Sequence, residues 1–100
     1  MTADDITRYL IAHDLFPKPP YENMLPRREQ KKLKHGDWVI LALTPMEASP
    51  PVQLIWPGLG RAMINHWETR KTQAISLDSI VCRLDVSPVA RAVNHEPGDV

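Results

Sequence analysis

The chain has 100 residues, of which 43% are hydrophobic and 24% are charged, and 12 cations balance 12 carboxylates to a formal net charge of zero. This length and composition predict one globular domain and exclude a second independent core. The zero net charge argues against a dedicated nucleic-acid-binding protein, because such proteins are usually basic overall. The single cysteine, Cys82, excludes an intramolecular disulfide and is typical of a reducing compartment.

We expect a cytoplasmic protein that makes no use of a membrane. Asp4 and Asp5 stand where a secretory signal peptide would carry cations. The longest unbroken apolar run, residues 38–43, is too short to cross a bilayer, which takes about 20 residues.

The first predicted element is a helix over residues 3–15. Thr2 is a suitable N-cap, and its spacing to Asp5 is that of a capping box. Apolar residues then recur at helical spacing from Ile6 onward, which predicts one buried face. The helix should end before Pro17, because the residue that precedes a proline is disfavoured in the helical conformation.

A proline-rich connector over 17–26 leads to a second, short helix predicted over 27–34. Pro26 suits its first turn, and Gly36 suits a left-handed stop after it. Residues 27–34, called the basic segment below, carry one carboxylate, Glu29, and one apolar side chain, Leu33. The cations of the basic segment are Arg27, Arg28, Lys31, Lys32 and Lys34.

From residue 38 onward the pattern predicts strands. Residues 38–44 are a continuous run of β-forming side chains, which is typical of a strand buried on both faces, and the first helix should cover one of them. Residues 45–51 are predicted to form a loop. Five strands are predicted. The first is 38–44, the second carries the alternating Val52, Leu54 and Trp56, and the third is 61–67. The fourth is marked by Ile75 and Leu77, and the fifth by Ile80, Cys82 and Leu84.

Together these elements predict an α+β fold with an N-terminal helix, a short basic helix and a small antiparallel five-stranded sheet. The succession HGDWVILAL, hairpins and AISLDSIVCRL resembles in outline an SH3-like small barrel over residues 36–84. We assign residues 1–85 to a single domain. Residues 86–100, which contain two prolines and few large side chains, are predicted to be a flexible, disordered C-terminal tail.

No pattern in the chain indicates catalysis, a metal site or a cofactor. The histidines and Cys82 lack the spacing of metal ligands, and Cys82 should point inward as a small hydrophobic side chain. The glycines of residues 58–60 lie between predicted strands rather than before a helix, which argues against a phosphate-binding loop. We therefore expect a non-enzymatic protein, although a pair of carboxylates that meets only in the folded chain stays open.

The function we predict is that of a small regulatory adaptor or inhibitor, which docks its basic segment onto an acidic surface of a protein partner. Exposed aromatic residues would add an anchor. Among the three tryptophans, Trp67 is the best candidate for exposure, since it ends a predicted strand close to Arg70 and Lys71. Packing of all three tryptophans in the core is the competing interpretation.

Other interpretations of the basic segment stay open. The first alternative is a nucleic-acid-binding regulatory protein that contacts phosphates through Arg27–Lys34 and stacks a base on Trp67. A nuclear import signal is another alternative, and so is a solvated helix with no partner. An exposed strand edge or a tryptophan patch would also allow a homodimer.

Overall fold

The computed structural model describes residues 1–21 and 25–94, in which helices flank a curled antiparallel sheet. The helices are α1 (Ala3–Ala12), α2 (Arg27–Gln30) and α3 (Ser87–Asn94). The strands are β1 (Trp38–Thr44), β2 (Glu47–Ala48), β3 (Val52–Pro57), β4 (Arg61–Asn65), β5 (Thr72–Ser76) and β6 (Ile80–Leu84), and a short 3-10 helix, Leu77–Ser79, joins β5 to β6. No helix in the described part of the chain is long and apolar enough to span a membrane.

The sheet is organised around β1. One edge of β1 pairs with β6, and its other edge pairs first with β3 and then with β2, so the strand order is β2-β1-β3-β4-β5 with β6 on the far side of β1. The sheet curls into a half-barrel, which confirms the predicted α+β fold with a small antiparallel sheet. The structure adds the two-residue strand β2 where the sequence predicted only a loop.

Two apolar clusters lie on opposite sides of β1. Val39 and Leu41 face the inside of the half-barrel, whereas Ile40 between them faces α1 and α3. The prediction that this strand is buried on both faces, with the first helix on one of them, is confirmed. The barrel core consists of Leu33, Val39, Leu41, Val52, Leu54, Ala62, Ile64, Leu77 and Ile80. The helix-side cluster consists of Ile6, Leu10, Ile40 and Val89.

Helix α1 begins at the predicted capping box. The Thr2 hydroxyl oxygen accepts from the Asp5 backbone N–H at 3.2 Å, and the Asp5 carboxylate accepts from the Thr2 N–H at 2.9 Å. The helix ends earlier than predicted, because Asp14 adopts a left-handed conformation with φ 55°. The Leu15 N–H then donates to the Leu10 carbonyl at 2.7 Å, the bond that closes a Schellman motif.

The C-terminal segment differs from the predicted tail. Residues 87–94 form helix α3, and Val89 is only 1% exposed because it packs in the helix-side cluster. The Asp85 carboxylate accepts from the Ser87 backbone N–H at 3.0 Å at the start of this helix. The packed unit therefore extends past residue 85, and residues 95–100 of the predicted tail lie outside the described residues.

Candidate functional site

The basic segment is helical only in its first turn. Helix α2 comprises four residues, whereas the sequence predicted eight, because the chain leaves the helix after Lys31 to bring Leu33 into the barrel core. Leu33 is 8% exposed. The five cations stay exposed around it. Gly36 has the expected positive φ, 91°, but it lies in the turn before β1 rather than at the helix end.

Helix α2 is fastened to the sheet by the amide of Gln30. The Gln30 side-chain N–H groups donate to the Leu25 carbonyl at 3.0 Å and to the Asp78 carboxylate at 3.2 Å. Asp78 is itself held in the 3-10 helix, where its backbone N–H donates to the Ser76 hydroxyl at 3.2 Å. The basic segment is thus held by this amide and by the buried Leu33. Backbone hydrogen bonds on either side also hold it, from the Leu25 N–H to the Ile80 carbonyl at 3.0 Å and from the Gly36 N–H to the Leu54 carbonyl at 2.8 Å.

Most cations of the basic segment carry no internal ion pair. Within the described residues, only Lys32 pairs with a carboxylate, that of Glu29 at 3.4 Å. Both side chains of that pair are exposed, and exposed ion pairs contribute little to stability, about 0–1 kcal/mol. The positive charge of this surface is therefore available to an external group.

The basic segment forms one wall of a groove of about 490 Å³, called the cationic groove below. Arg27 and Lys31 line that wall, and the buried Leu33 and Leu77 lie at the base. The opposite wall is the β3–β4 hairpin, residues 57–60. This hairpin is tied to the 3-10 helix, since the Leu77 N–H donates to the Gly60 carbonyl at 3.1 Å.

The tip of the β3–β4 hairpin presents two exposed apolar side chains, Trp56 and Leu59. Trp56 is 61% exposed and Leu59 is fully exposed. A Cβ atom on Gly58 would lie 2.6 Å from the Trp56 ring, so the glycine is what allows the indole to lie over the turn.

The alternation of Val52, Leu54 and Trp56 predicted that all three side chains share the inner face, and for Trp56 this prediction is wrong because it is exposed. A bulge inserts one extra residue in β3: Leu54 pairs with Ile64, but Trp56 pairs with Met63 instead of with a residue two positions away. The bulge reverses the alternation, which turns Trp56 outward. The proline–glycine turn directly after Trp56 was the sequence signal that could have indicated its exposure.

Trp67, which the sequence put forward as the best candidate for exposure, is half-buried. It packs partly against the barrel core, and its ring stacks on His66 with 4.0 Å between the ring centroids. Strand β4 ends at Asn65, so Trp67 begins the β4–β5 turn, in which Arg70 and Lys71 are exposed.

Trp67 and Arg70 line a second groove of about 790 Å³ that reaches the start of α1 at Thr2. Among the described residues, none lines both grooves. Of the predicted binding residues, Arg27 and Lys31 line the cationic groove, and Trp67 and Arg70 line the second groove. The others are exposed and line neither groove: Arg28, Lys32, Lys34 and Lys71.

The described residues include candidate metal ligands and one thiol. No three histidine, cysteine, aspartate or glutamate side chains among them are grouped as a metal ion would require. Cys82 packs against the helix-side cluster, and burial raises the pKa of its thiol. A raised pKa keeps the thiol protonated at neutral pH, and the protonated form is a poor nucleophile.

Comparison of the chain with protein-family models, with curated proteins and with solved structures finds no match. Its function is therefore inferred from its own residues.

Proposed function

We propose that this protein is a non-enzymatic regulatory module, an adaptor or inhibitor, that binds an acidic surface of a protein partner through the basic segment. The observation that carries the proposal is the set of five exposed cations next to an exposed apolar hairpin tip. Protein interfaces combine apolar anchors at the centre with a charged or polar rim. Trp56 and Leu59 supply such anchors, and the basic segment supplies the rim.

The alternative is binding of a nucleic acid, and one observation favours it. Trp56 projects from the outer face of the sheet, where Arg61 is also exposed. An exposed indole near a cation can stack a base while the cation contacts a phosphate. The neutral overall charge supports the protein partner over this alternative.

A charge-reversal variant separates these proposals. Arg27, Arg28, Lys31 and Lys32 would all be changed to glutamate, and labelled single- and double-stranded oligonucleotides would be titrated by fluorescence anisotropy at about 50 and 200 mM salt. In parallel, the wild-type protein and the variant would each be immobilised, and the proteins that each one captures would be compared by quantitative mass spectrometry. We expect no oligonucleotide binding and at least one protein that wild type retains and the variant loses.

A second variant, Arg70→Glu with Lys71→Glu, is the control because it reverses charge on the other surface. Loss of the same partner in both variants would mean that net charge, not the basic segment, governs binding. Oligonucleotide binding with a steep salt dependence, up to a slope of about −4.5 for five phosphate contacts, would establish the alternative. No binding of either kind would leave the basic segment as a solvated turn without a partner.

A further inference from the structure

We propose that the cationic groove binds a short acidic peptide segment that carries an apolar anchor side chain. The inference rests on the proposed function and specifies where the partner is held and by which chemistry. Its occupant is a segment in which a leucine or an aromatic residue is flanked by glutamate or aspartate.

The apolar part of the recognition comes from the base and the far wall of the groove. Leu33 and Leu77 line the base, and Pro57 and Leu59 line the hairpin wall. A volume of about 490 Å³ is within the range of ligand clefts, roughly 300–1,000 Å³. The fully exposed Leu59 side chain has room to cover an anchor once it is seated.

The charged part of the recognition comes from the helical wall. Arg27 and Lys31 are four residues apart, so they lie on the same side of the turn, and both line the groove. One carboxylate in the described part of the chain lines the groove, that of Asp78, and it already accepts a hydrogen bond from Gln30. Acidic residues on either side of an apolar anchor are the complement of this arrangement.

The same geometry favours a peptide over a nucleic acid at this place. Among the residues that the structure describes, two cations line the groove and no aromatic ring is part of its lining. Trp56, the exposed indole, lies outside the lining. A base inside the groove would contact mainly aliphatic side chains, whereas a leucine side chain would pack there against Leu33, Leu59 and Leu77.

The groove is also held in shape before a ligand arrives. Gln30 ties the helical wall to Asp78, the Leu77 N–H ties the 3-10 helix to Gly60, and Leu33 is buried. A preformed site avoids the cost of ordering loops on binding. Binding should therefore proceed without a large change in backbone conformation.

The test uses a labelled peptide series with the full-length protein. Twelve-residue peptides would vary two features independently: a central residue (leucine, phenylalanine, tryptophan or serine) and the flanking residues (glutamate or glutamine). Affinity would be measured by fluorescence anisotropy at low salt. We expect binding by peptides with both an apolar centre and acidic flanks, and a loss of about tenfold or more when either feature is removed. If no peptide binds, or if the serine peptide binds equally well, the proposal is overturned.

Matched variants locate the site. Arg27→Gln with Lys31→Gln removes two charges that line the groove, and Arg28→Gln with Lys34→Gln removes two that do not. Leu59→Ser alters the apolar wall at an exposed position. We expect the first and third variants to weaken binding about tenfold and the second to weaken it less than about threefold.

The outcomes distinguish this inference from the proposed function. Equal losses for the two charge variants would overturn the groove while leaving the basic segment as a diffuse electrostatic surface. No loss for either variant would overturn both. Circular dichroism and thermal unfolding of each variant would establish that it is folded, and an oligonucleotide that displaces the bound peptide would overturn the assignment to a peptide.

Discussion

Helices α1 and α2 differ in how they are held to the sheet. Helix α1 has a complete capping box, a Schellman motif at its end and two buried side chains, Ile6 and Leu10. Helix α2 is a single turn with no side-chain cap and no buried residue of its own, and it is held by Gln30 and by Leu33 just beyond it. The two buried side chains of α1 serve packing, whereas all five cations of the basic segment are exposed. Because folding does not bury these five charges, we assign them to binding a partner.

The largest expected effect on stability is at Ile6. Ile6→Ala removes a fully buried side chain from the helix-side cluster, and should lower the free energy of unfolding by about 2–5 kcal/mol. Urea denaturation would measure it. Ile11→Ala on the same helix is the control, since Ile11 is exposed, and should change stability by less than about 0.5 kcal/mol. Similar losses at both positions would contradict the described packing of α1.

A smaller loss is expected at Leu33, which holds the basic segment. Leu33→Ala should cost about 2 kcal/mol, at the lower end for a buried leucine, because the side chain lies at the margin of the barrel core. Leu43→Ala, at an exposed position, is the comparison in urea denaturation. If the two variants are equally stable, Leu33 does not anchor the segment, and the cations would no longer be held at the groove.

The capping box of α1 should contribute less than either side chain. Thr2→Ala removes the hydroxyl that accepts from Asp5 N–H, and should cost about 1 kcal/mol. Thr2→Ser keeps a hydroxyl at the N-cap and should be nearly neutral. Thermal unfolding of the pair would separate capping from side-chain size, and equal losses would show that the hydroxyl is not the stabilising group.

The same cap should produce a pH dependence. The Thr2 backbone N–H, which donates to the Asp5 carboxylate, lowers the pKa of Asp5 below its ordinary value of 3.8. A carboxyl whose pKa is lower in the folded than in the unfolded state contributes stability above the unfolded pKa and loses it as the pH falls through the folded pKa. Stability should therefore fall from about pH 5 downward, and Asp5→Asn should flatten that fall. If urea denaturation shows the same loss of stability at acidic pH in Asp5→Asn as in wild type, the capping interaction of Asp5 is contradicted.

The smallest effect on stability is expected at the cations themselves. Arg27→Gln, Arg28→Gln and Lys31→Gln remove charges without an ion pair among the described residues, so each should change the free energy of unfolding by less than about 0.5 kcal/mol. A clear loss in thermal unfolding would show that the basic segment is needed for folding. The cations of the basic segment would then contribute to folding, and they would no longer differ in this respect from the buried side chains of α1.

Local signals predicted much of the fold from the sequence. The Thr2–Asp5 spacing located the start of α1, and the unbroken apolar run located the doubly covered β1. The features that the sequence did not yield depend on pairing between distant residues. The bulge that turns Trp56 outward exists only relative to Met63, and the helix at 87–94 depends on burial of Val89 against Ile6 and Ile40.

The candidate site also has a part that the sequence predicted and a part that it did not. Its cations could be named from the sequence, because they are contiguous in the chain. The apolar side of the groove could not, since Leu33, Leu59 and Leu77 come from three separate segments. Leu77 is brought to the hairpin by the pairing of β4 with β5 and by the hydrogen bond from its N–H to the Gly60 carbonyl, and Leu33 joins it in the barrel core.

The position of β1 gives the molecule an internal reporter. Its backbone is hydrogen-bonded along both edges and covered by a cluster on each face, so its amides should exchange with solvent only when the whole chain opens. A ligand that binds only the folded state slows that opening by a factor of 1 + [L]/Kd. Exchange at Val39, Ile40 and Leu41 would therefore register the occupancy of a distant surface, even by a partner that contacts none of these residues.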